Sequence, residues 1–228
     1  MVASRERQHK ERLTLVPSLK LNVLPVAAIY GGNGSGKSNF YYALEFARNL
    51  IIRSKANEDG SINVEPFRLD EKYESQPSEF AFEILLGRAV YKYAFTVSRK
   101  RVCKESLELL KGEKGTIIYS RSVEQDKDKW DVTYFEGLDL PKDEAEFVKF
   151  KARDTLPNQL FLNAVRGRKL PVLEDLADWF KRTLVLINPE TTSNTMNFSS
   201  KGLTIFRGFC TEALNKAQTG IDKVEGEE

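Results

Sequence analysis

The sequence predicts an α/β fold in which a strand, a glycine loop and a helix form one core unit, with a separate antiparallel β-subdomain attached to it. Three observations lead there. Residues 29–40, IYGGNGSGKSNF, place four glycines within six positions, directly after an apolar run and directly before a helical pattern. Between about residues 65 and 136 the hydrophobic period changes to two, the signature of strands. From about residue 140 helical periods return, interrupted by short apolar runs. Residues 1–228 are therefore expected to form one lobe, with the core over about 13–60 and 140–228 and the β-subdomain over about 65–136.

Each element follows from its own pattern. LPVAAIY (24–30) is short, apolar and bounded by Pro25 and Gly31, as a fully buried strand of a parallel sheet would be. In the helix after it, Phe40, Ala43, Leu44, Ala47, Leu50 and Ile51 recur at three- and four-residue intervals and form one stripe, with Arg48, Asn49 and Arg53 off it. SKANEDGS (54–61) ends that helix in turn chemistry. Phe80, Phe82, Ile84 and Leu86 alternate with polar or small residues, Gly87-Arg88 makes a turn, and Tyr91, Tyr93, Phe95 and Val97 alternate again, which is a β-hairpin. ESLELL (105–110), GTIIYSR (115–121) and WDVTYF (130–135) extend it into a meander. The hairpin's aromatics are read as core. DEAEFVKFKAR (143–153) predicts a helix, NQLFLNAV (158–165) a strand, LPVLEDLADWFKRTL (170–184) a helix and LVLIN (184–188) a strand. NPETTSNTMNFSSKG (188–202) is a polar loop, and LTIFRGFCTEALNKAQ (203–218) is a last helix stopped at Thr219-Gly220.

Composition narrows the function classes. A chain of 228 residues with 41% hydrophobic content can bury one sizeable core. A net charge of +2 gives no global field, so a nucleic-acid partner would need a local patch. Two stretches are basic: SRERQHKERL (4–13), laced with glutamates, and VRGRKLP (165–171), with Arg166, Arg168 and Lys169; both are read as solvated segments. Cys103 and Cys210 lack CxxC spacing and His9 stands alone, which excludes a His-rich metal site and a disulfide framework and leaves two reduced thiols. No apolar run approaches the ~20 residues of a membrane span and the amino terminus lacks the apolar stretch of a signal peptide, so no membrane partner and a cytoplasmic location are expected.

The glycine stretch fits G-x-x-x-x-G-K-[ST], the P-loop pattern, with Gly31, Gly36, Lys37 and Ser38 at the fixed positions. The chemistry explains the composition. Successive backbone N–H groups can grip a phosphate only where no Cβ intrudes, so Gly32, Gly34 and Gly36 let the loop wrap an anion. The loop also feeds a helix N-terminus, whose unpaired N–H groups favour negative charge. On this reading Gly31, Gly32, Asn33, Gly34, Ser35, Gly36, Lys37, Ser38 and Asn39 bind ATP, Lys37 bridging β- and γ-phosphate oxygens and Ser38 coordinating Mg²⁺.

Hydrolysis also requires an acid that organises Mg²⁺ on a neighbouring strand. LVLINPE (184–190) has the apolar run of such a strand but continues into neutral Asn188, and Glu190 follows a proline. Glu174 and Asp175 in VLEDLA (172–177) sit on an amphipathic helix. Neither segment supplies a clear acid, so the catalytic residues stay unassigned. NKAQ (215–218) fails the N-K-x-D pattern at the residue that would read guanine, which argues against guanine specificity.

LPVAAIYGGNGSGKSNFYYALEF, PFRLD (66–70), PSEFAFEILLGRAVYKYAFTV (77–97), ESLELL, LFLNAV and LNKAQTGIDKVEGEE (214–228) occur in this order. The order resembles that of the ABC-like, AAA-family ATPases of prokaryotic defence systems, akin to OLD nucleases and SMC-type heads. The resemblance covers nearly the whole chain. It implies an ABC-ATPase-like P-loop NTPase core with a β-subdomain, using ATP and Mg²⁺. It also implies a homodimer or higher homo-oligomer that sandwiches nucleotide and controls an effector such as a nuclease, with DNA contact left open. The family's leading Asn-Phe-Arg-Ser-like strand, signature segment, Walker B strand and switch histidine are not found here. FSSKG (198–202) matches the signature poorly, and Arg166-Gly167 stand near the expected Q-loop. The expectation is thus the N-terminal lobe of a larger ATPase. The alternative is a regulatory module that binds ATP without turnover; a small-molecule kinase fits less well, because about seventy residues form β-meander.

Overall fold

The computed structural model describes residues 13–24, 26–53, 60–67, 70–74, 76–111, 114–123, 130–134, 140–187, 207–208, 211–212 and 215. The chain divides into two units, Met1–Val185 and Leu186–Glu228. In the second unit residues 207–208, 211–212 and 215 are helical, within the span predicted for the last helix, while the predicted loop at 188–202 lies outside the described residues.

In the first unit a small antiparallel hairpin, β1 (Thr14–Val16) and β2 (Leu21–Val23), precedes the glycine loop. Strands of three residues carry too little alternation to be read from sequence. The loop leads into α1 (Lys37–Arg53), and α2 (Glu71–Glu74) is a single turn. A five-stranded antiparallel sheet follows: β3 (Ser78–Leu86), β4 (Ala89–Val97), β5 (Val102–Lys111), β6 (Lys114–Val123) and β7 (Trp130–Tyr134). Every strand pairs with its neighbour in sequence, which is the predicted meander. Gly87, at φ +60°, occupies the first central position of the two-residue β3–β4 turn, where a type II′ geometry calls for glycine. Then come α3 (Lys142–Asp154), α4 (Phe161–Ala164) and α5 (Leu173–Asp178), the last running into a π-helical turn at Trp179–Thr183.

The period-two pattern decides which face of the sheet is buried. One row across the strands reads Phe80, Phe95, Glu105, Arg121 and the next reads Phe82, Tyr93, Leu107, Tyr119. These side chains form the core with Ala47 and Ile51 of α1, Phe161 and Leu162 of α4, and Phe180 of the π turn. Phe80 stacks on Phe95 at 5.1 Å between ring centroids, and Phe82 meets Phe180 edge-on at 5.0 Å. The hairpin's aromatics are thus packing residues. On α3, Val148 and Ala152 face the core, four residues apart, and Thr155 closes the helix by donating its hydroxyl to Lys151 O at 2.6 Å.

Three predicted strands are corrected. Residues 26–30 are not a buried strand: they have no regular structure, and Val26, Ile29 and Tyr30 are 77%, 52% and 91% exposed. An apolar run becomes a buried strand only where neighbours take up its hydrogen bonds, and among the described residues none lies beside it; all described strand pairs are antiparallel. The parallel sheet expected of a P-loop core is therefore not formed by the described residues. Residues 158–165 turn into the short α4, because the N–H groups of Phe161 and Leu162 are taken by the Glu105 carboxylate rather than by a ladder. Residues 184–187 are irregular; Leu184 N–H closes the π turn on Trp179 O, and Val185 and Ile187 are exposed. The stripe on α1 is also only half used: Ala47 and Ile51 are buried and Leu44 and Leu50 half-buried, whereas Phe40 and Ala43 face solvent.

Candidate nucleotide site

The glycine loop is held in shape by its own lysine. Lys37 Nζ donates to Gly31 O and Gly32 O, both at 2.7 Å, and lies 3.5 Å from Ser35 Oγ. An ammonium has three protons. Two close the loop, and the third is directed only to the more distant Ser35 hydroxyl, from which an incoming anion can take it. Ser35 N–H donates to Gly32 O at 3.3 Å, and Phe40 N–H donates to Gly36 O at 3.3 Å as α1 begins. Gly34 and Gly36 sit at φ +78° and +89°, a region that Cβ-bearing residues disfavour. A Cβ on Gly31 would stand 2.5 Å from Ser35 Oγ, whereas one on Gly32 would meet nothing. Three of the four glycines thus have a local reason, and Gly32 is the exception.

Gly31, Gly32, Asn33, Gly34, Ser35, Gly36, Lys37, Ser38 and Asn39 form one contiguous, exposed stretch at the head of α1. The first-turn amides of α1 have no preceding carbonyl within the helix. This cradle, with positive-φ glycines, helix amides, a lysine and the Ser38 hydroxyl, has the donor set that a Mg²⁺-bound polyphosphate takes.

The acids weighed from sequence are elsewhere. Glu174 lines a cavity of about 170 Å³ with Leu162, Arg166 and Lys181, and Arg166 reaches the carbonyl of Ile52. Ile52 is one residue from the end of α1, and from Ser38 to Ile52 the helix runs about 20 Å at 1.5 Å per residue. Glu174 therefore sits by the far end of α1, and its neighbour Asp175 is on the same short helix. Asn188, Glu190 and FSSKG lie outside the described residues. Among the described residues no three His, Cys, Asp or Glu side chains gather into a metal site. In the basic loop Arg166, Arg168 and Lys169 are all exposed, as a solvated segment would be; Arg166 also bonds to α1 and Arg168 lies 4.3 Å over the Phe147 ring. Cys103 is a half-buried free thiol. Among the described residues no helix is long and apolar enough to cross a membrane.

Sequence reasoning missed a second constellation. Glu105 is fully buried, and its carboxylate accepts from Tyr93 OH and Tyr119 OH at 2.9 Å, Arg121 Nε at 2.7 Å, and the N–H groups of Phe161 at 2.7 Å and Leu162 at 3.1 Å. Arg121 also donates to Gln159 O. Burial disfavours the phenolate forms of Tyr93 and Tyr119 and, with the adjacent Glu105 charge, holds both hydroxyls well above their ordinary range. The signal was available: Glu105 shares strand parity with Leu107, and Arg121 with Tyr119, so opposite charges sit on the apolar faces of consecutive strands.

Residues 26–182 match the family described as "AAA domain, putative AbiEii toxin, Type IV TA system". No curated protein and no solved structure matched the chain.

Proposed function

Because the chain belongs to this AAA-domain family, we propose that it is the ATP-binding part of an ATPase, holding Mg·ATP through residues 31–39. The observation that carries this reading is the self-closed loop, with Lys37 across Gly31 and Gly32 and glycine at the two positive-φ positions. Bound there, ATP and Mg²⁺ would supply a transferable γ-phosphoryl group and the cation that neutralises it. The chain's own part is to grip: loop amides wrap the phosphates, Lys37 places a fixed positive charge and Ser38 offers a hydroxyl to the metal. The distance of Glu174 from the loop supports a reading in which the groups that orient water come from elsewhere. We assign that role to a nucleotide-sandwiched homodimer or higher oligomer that controls an effector such as a nuclease, in phage defence or another DNA transaction. The family's description, which includes a toxin of a toxin–antitoxin system, fits such a setting. The same distance favours, as second reading, a regulatory module that binds ATP without turnover.

Calorimetry with Mg·ATP tests the binding. Wild type should bind, and Lys37→Ala should abolish binding, since the Lys37 ammonium is the cation that the loop itself holds in place; equal affinity would sink the assignment. Phosphate release then separates the readings: Lys37-dependent turnover that rises with dimer formation supports the sandwich, and bound ATP that stays intact under those conditions supports the regulatory module.

A further inference from the structure

We propose that Asn163 and Arg166 are positioning residues for the glycine loop: together they cap the C-terminus of α1 and thereby keep the loop preformed. This rests on the nucleotide reading above. The last four carbonyls of a helix have no partner inside it. In α1 two of these are taken by side chains 112 and 114 residues further along the chain: Asn163 Nδ2 donates to Ile51 O at 2.8 Å, and the Arg166 guanidinium donates to Ile52 O. Arg166 also sets a positive charge at the negative end of the helix dipole. One turn earlier, Arg48 donates to Phe180 O at 2.9 Å and Lys181 O at 3.0 Å, carbonyls of the π turn. The buried residues of α1, Ala47 and Ile51, are at this same end.

Among the described residues the loop end is held more lightly: residues 31–40, Tyr42 and Ala43 are exposed, Tyr41 and Leu44 are half-buried, and the first core contact is Phe46 on Phe80 at 5.4 Å. The stretch 37–46 alone is shorter than the ~12–15 residues at which an isolated helix becomes even marginal in water. Its helical state, and with it the first turn that carries Lys37 and Ser38, depends on continuity with the anchored half. The cap is fixed in turn: Gln159 Nε2 donates to Asn163 Oδ1 at 3.1 Å, and Glu105 holds the start of α4. A ligand that binds only the preformed loop has an apparent affinity scaled by the fraction that is preformed. Loss of the cap should therefore weaken binding at a distance of about 20 Å, measured along the helix.

The test uses Asn163→Ala/Arg166→Ala, with Arg166→Ala alone as the milder change at an exposed side chain and Val97→Ala as a core control remote in sequence from α1. Two quantities are measured well below each thermal midpoint: Mg·ATP affinity by calorimetry, and hydrogen exchange of amides 41–46 without nucleotide. The double variant should bind more weakly, by at most about fivefold, the full equivalent of a typical cap, and amides 41–46 should exchange faster. Arg166→Ala should show the same changes in smaller measure, and Arg166→Lys should recover part of the loss. Val97→Ala should lower the midpoint and change neither quantity. Unchanged affinity in the double variant, or an equal loss in Val97→Ala, would overturn the proposal. A wild type that binds no Mg·ATP overturns it together with the reading it rests on; that outcome is told apart from failure of the cap because exchange at 41–46 still accelerates in the double variant.

Discussion

The glycine loop and the start of α4 both present backbone N–H groups at the head of a helical segment, and they differ in what meets them. At α4 the anion belongs to the chain: the Glu105 carboxylate fills the site, buried and engaged with two amides, two phenols and a guanidinium. At 31–38 the amides stand in solvent and the nearest charged group is a lysine. A filled internal cradle ties sheet to helix and contributes to the fold. An open one contributes little to stability and is free to exchange its anion. The difference teaches where substitutions should be felt: at Glu105 in stability, and at the loop in binding.

The sharpest way to break that contrast is Glu105→Ala, which leaves the buried Arg121 charge without its carboxylate partner; it should cost about 5 kcal/mol, read from urea unfolding. A loss under about 1 kcal/mol would show that the cluster is not what ties the sheet to α4. Phe95→Ala, directly opposite Glu105 in the same row, should cost about 3–4 kcal/mol, the price of a cavity whose ring neighbours can partly close in. Alkaline pH attacks the same cluster. The Tyr93 and Tyr119 hydroxyls titrate higher in the fold than in the unfolded chain, where their value is near 10, so their contribution is complete below about pH 10 and is lost as pH rises above it. The unfolding free energy from urea titrations should thus fall as pH rises above about 10, by up to about 1.4 kcal/mol per pH unit for each tyrosine, and less steeply in Tyr93→Phe. At the loop, Gly36→Ala should strain a φ of +89° by about 1–2 kcal/mol and weaken Mg·ATP binding correspondingly. Gly32→Ala should do least, within about 0.5 kcal/mol in stability; a strong loss of affinity there would mean that a phosphate comes closer to this residue than the open space around it suggests.

The parts legible in the sequence are those encoded by contiguous residues. The hairpin could be read because Phe80, Phe82 and Ile84 and then Tyr93, Phe95 and Val97 alternate without interruption across a glycine turn. The loop could be read because Gly31, Gly36, Lys37 and Ser38 carry fixed spacing. What failed depends on partners far along the chain. LPVAAIY has the composition of a core strand, but burial requires neighbouring strands, and composition does not supply them. NQLFLNAV predicts a strand because its apolar content is real, yet a carboxylate 56 residues earlier captures the Phe161 N–H and turns the backbone. Arg48, off the apolar stripe, binds two carbonyls of the π turn, a contact that the stripe does not announce. In each case the deciding hydrogen bond has no local signature.

The nearest-neighbour order of the meander has a consequence for the sequence of events in folding. Strands that pair only with the preceding and following strand close short loops, and such contacts form early. The amides of Phe161 and Leu162 reach Glu105 only after a closure spanning 56 and 57 residues. A sheet that assembles first would hold Glu105 and Arg121 at an open, hydrated face, where their charges cost nothing. Docking of α4 then becomes the step that removes water from both. Substitutions in the β3–β4 hairpin should accordingly slow folding, while Glu105→Gln should chiefly hasten unfolding.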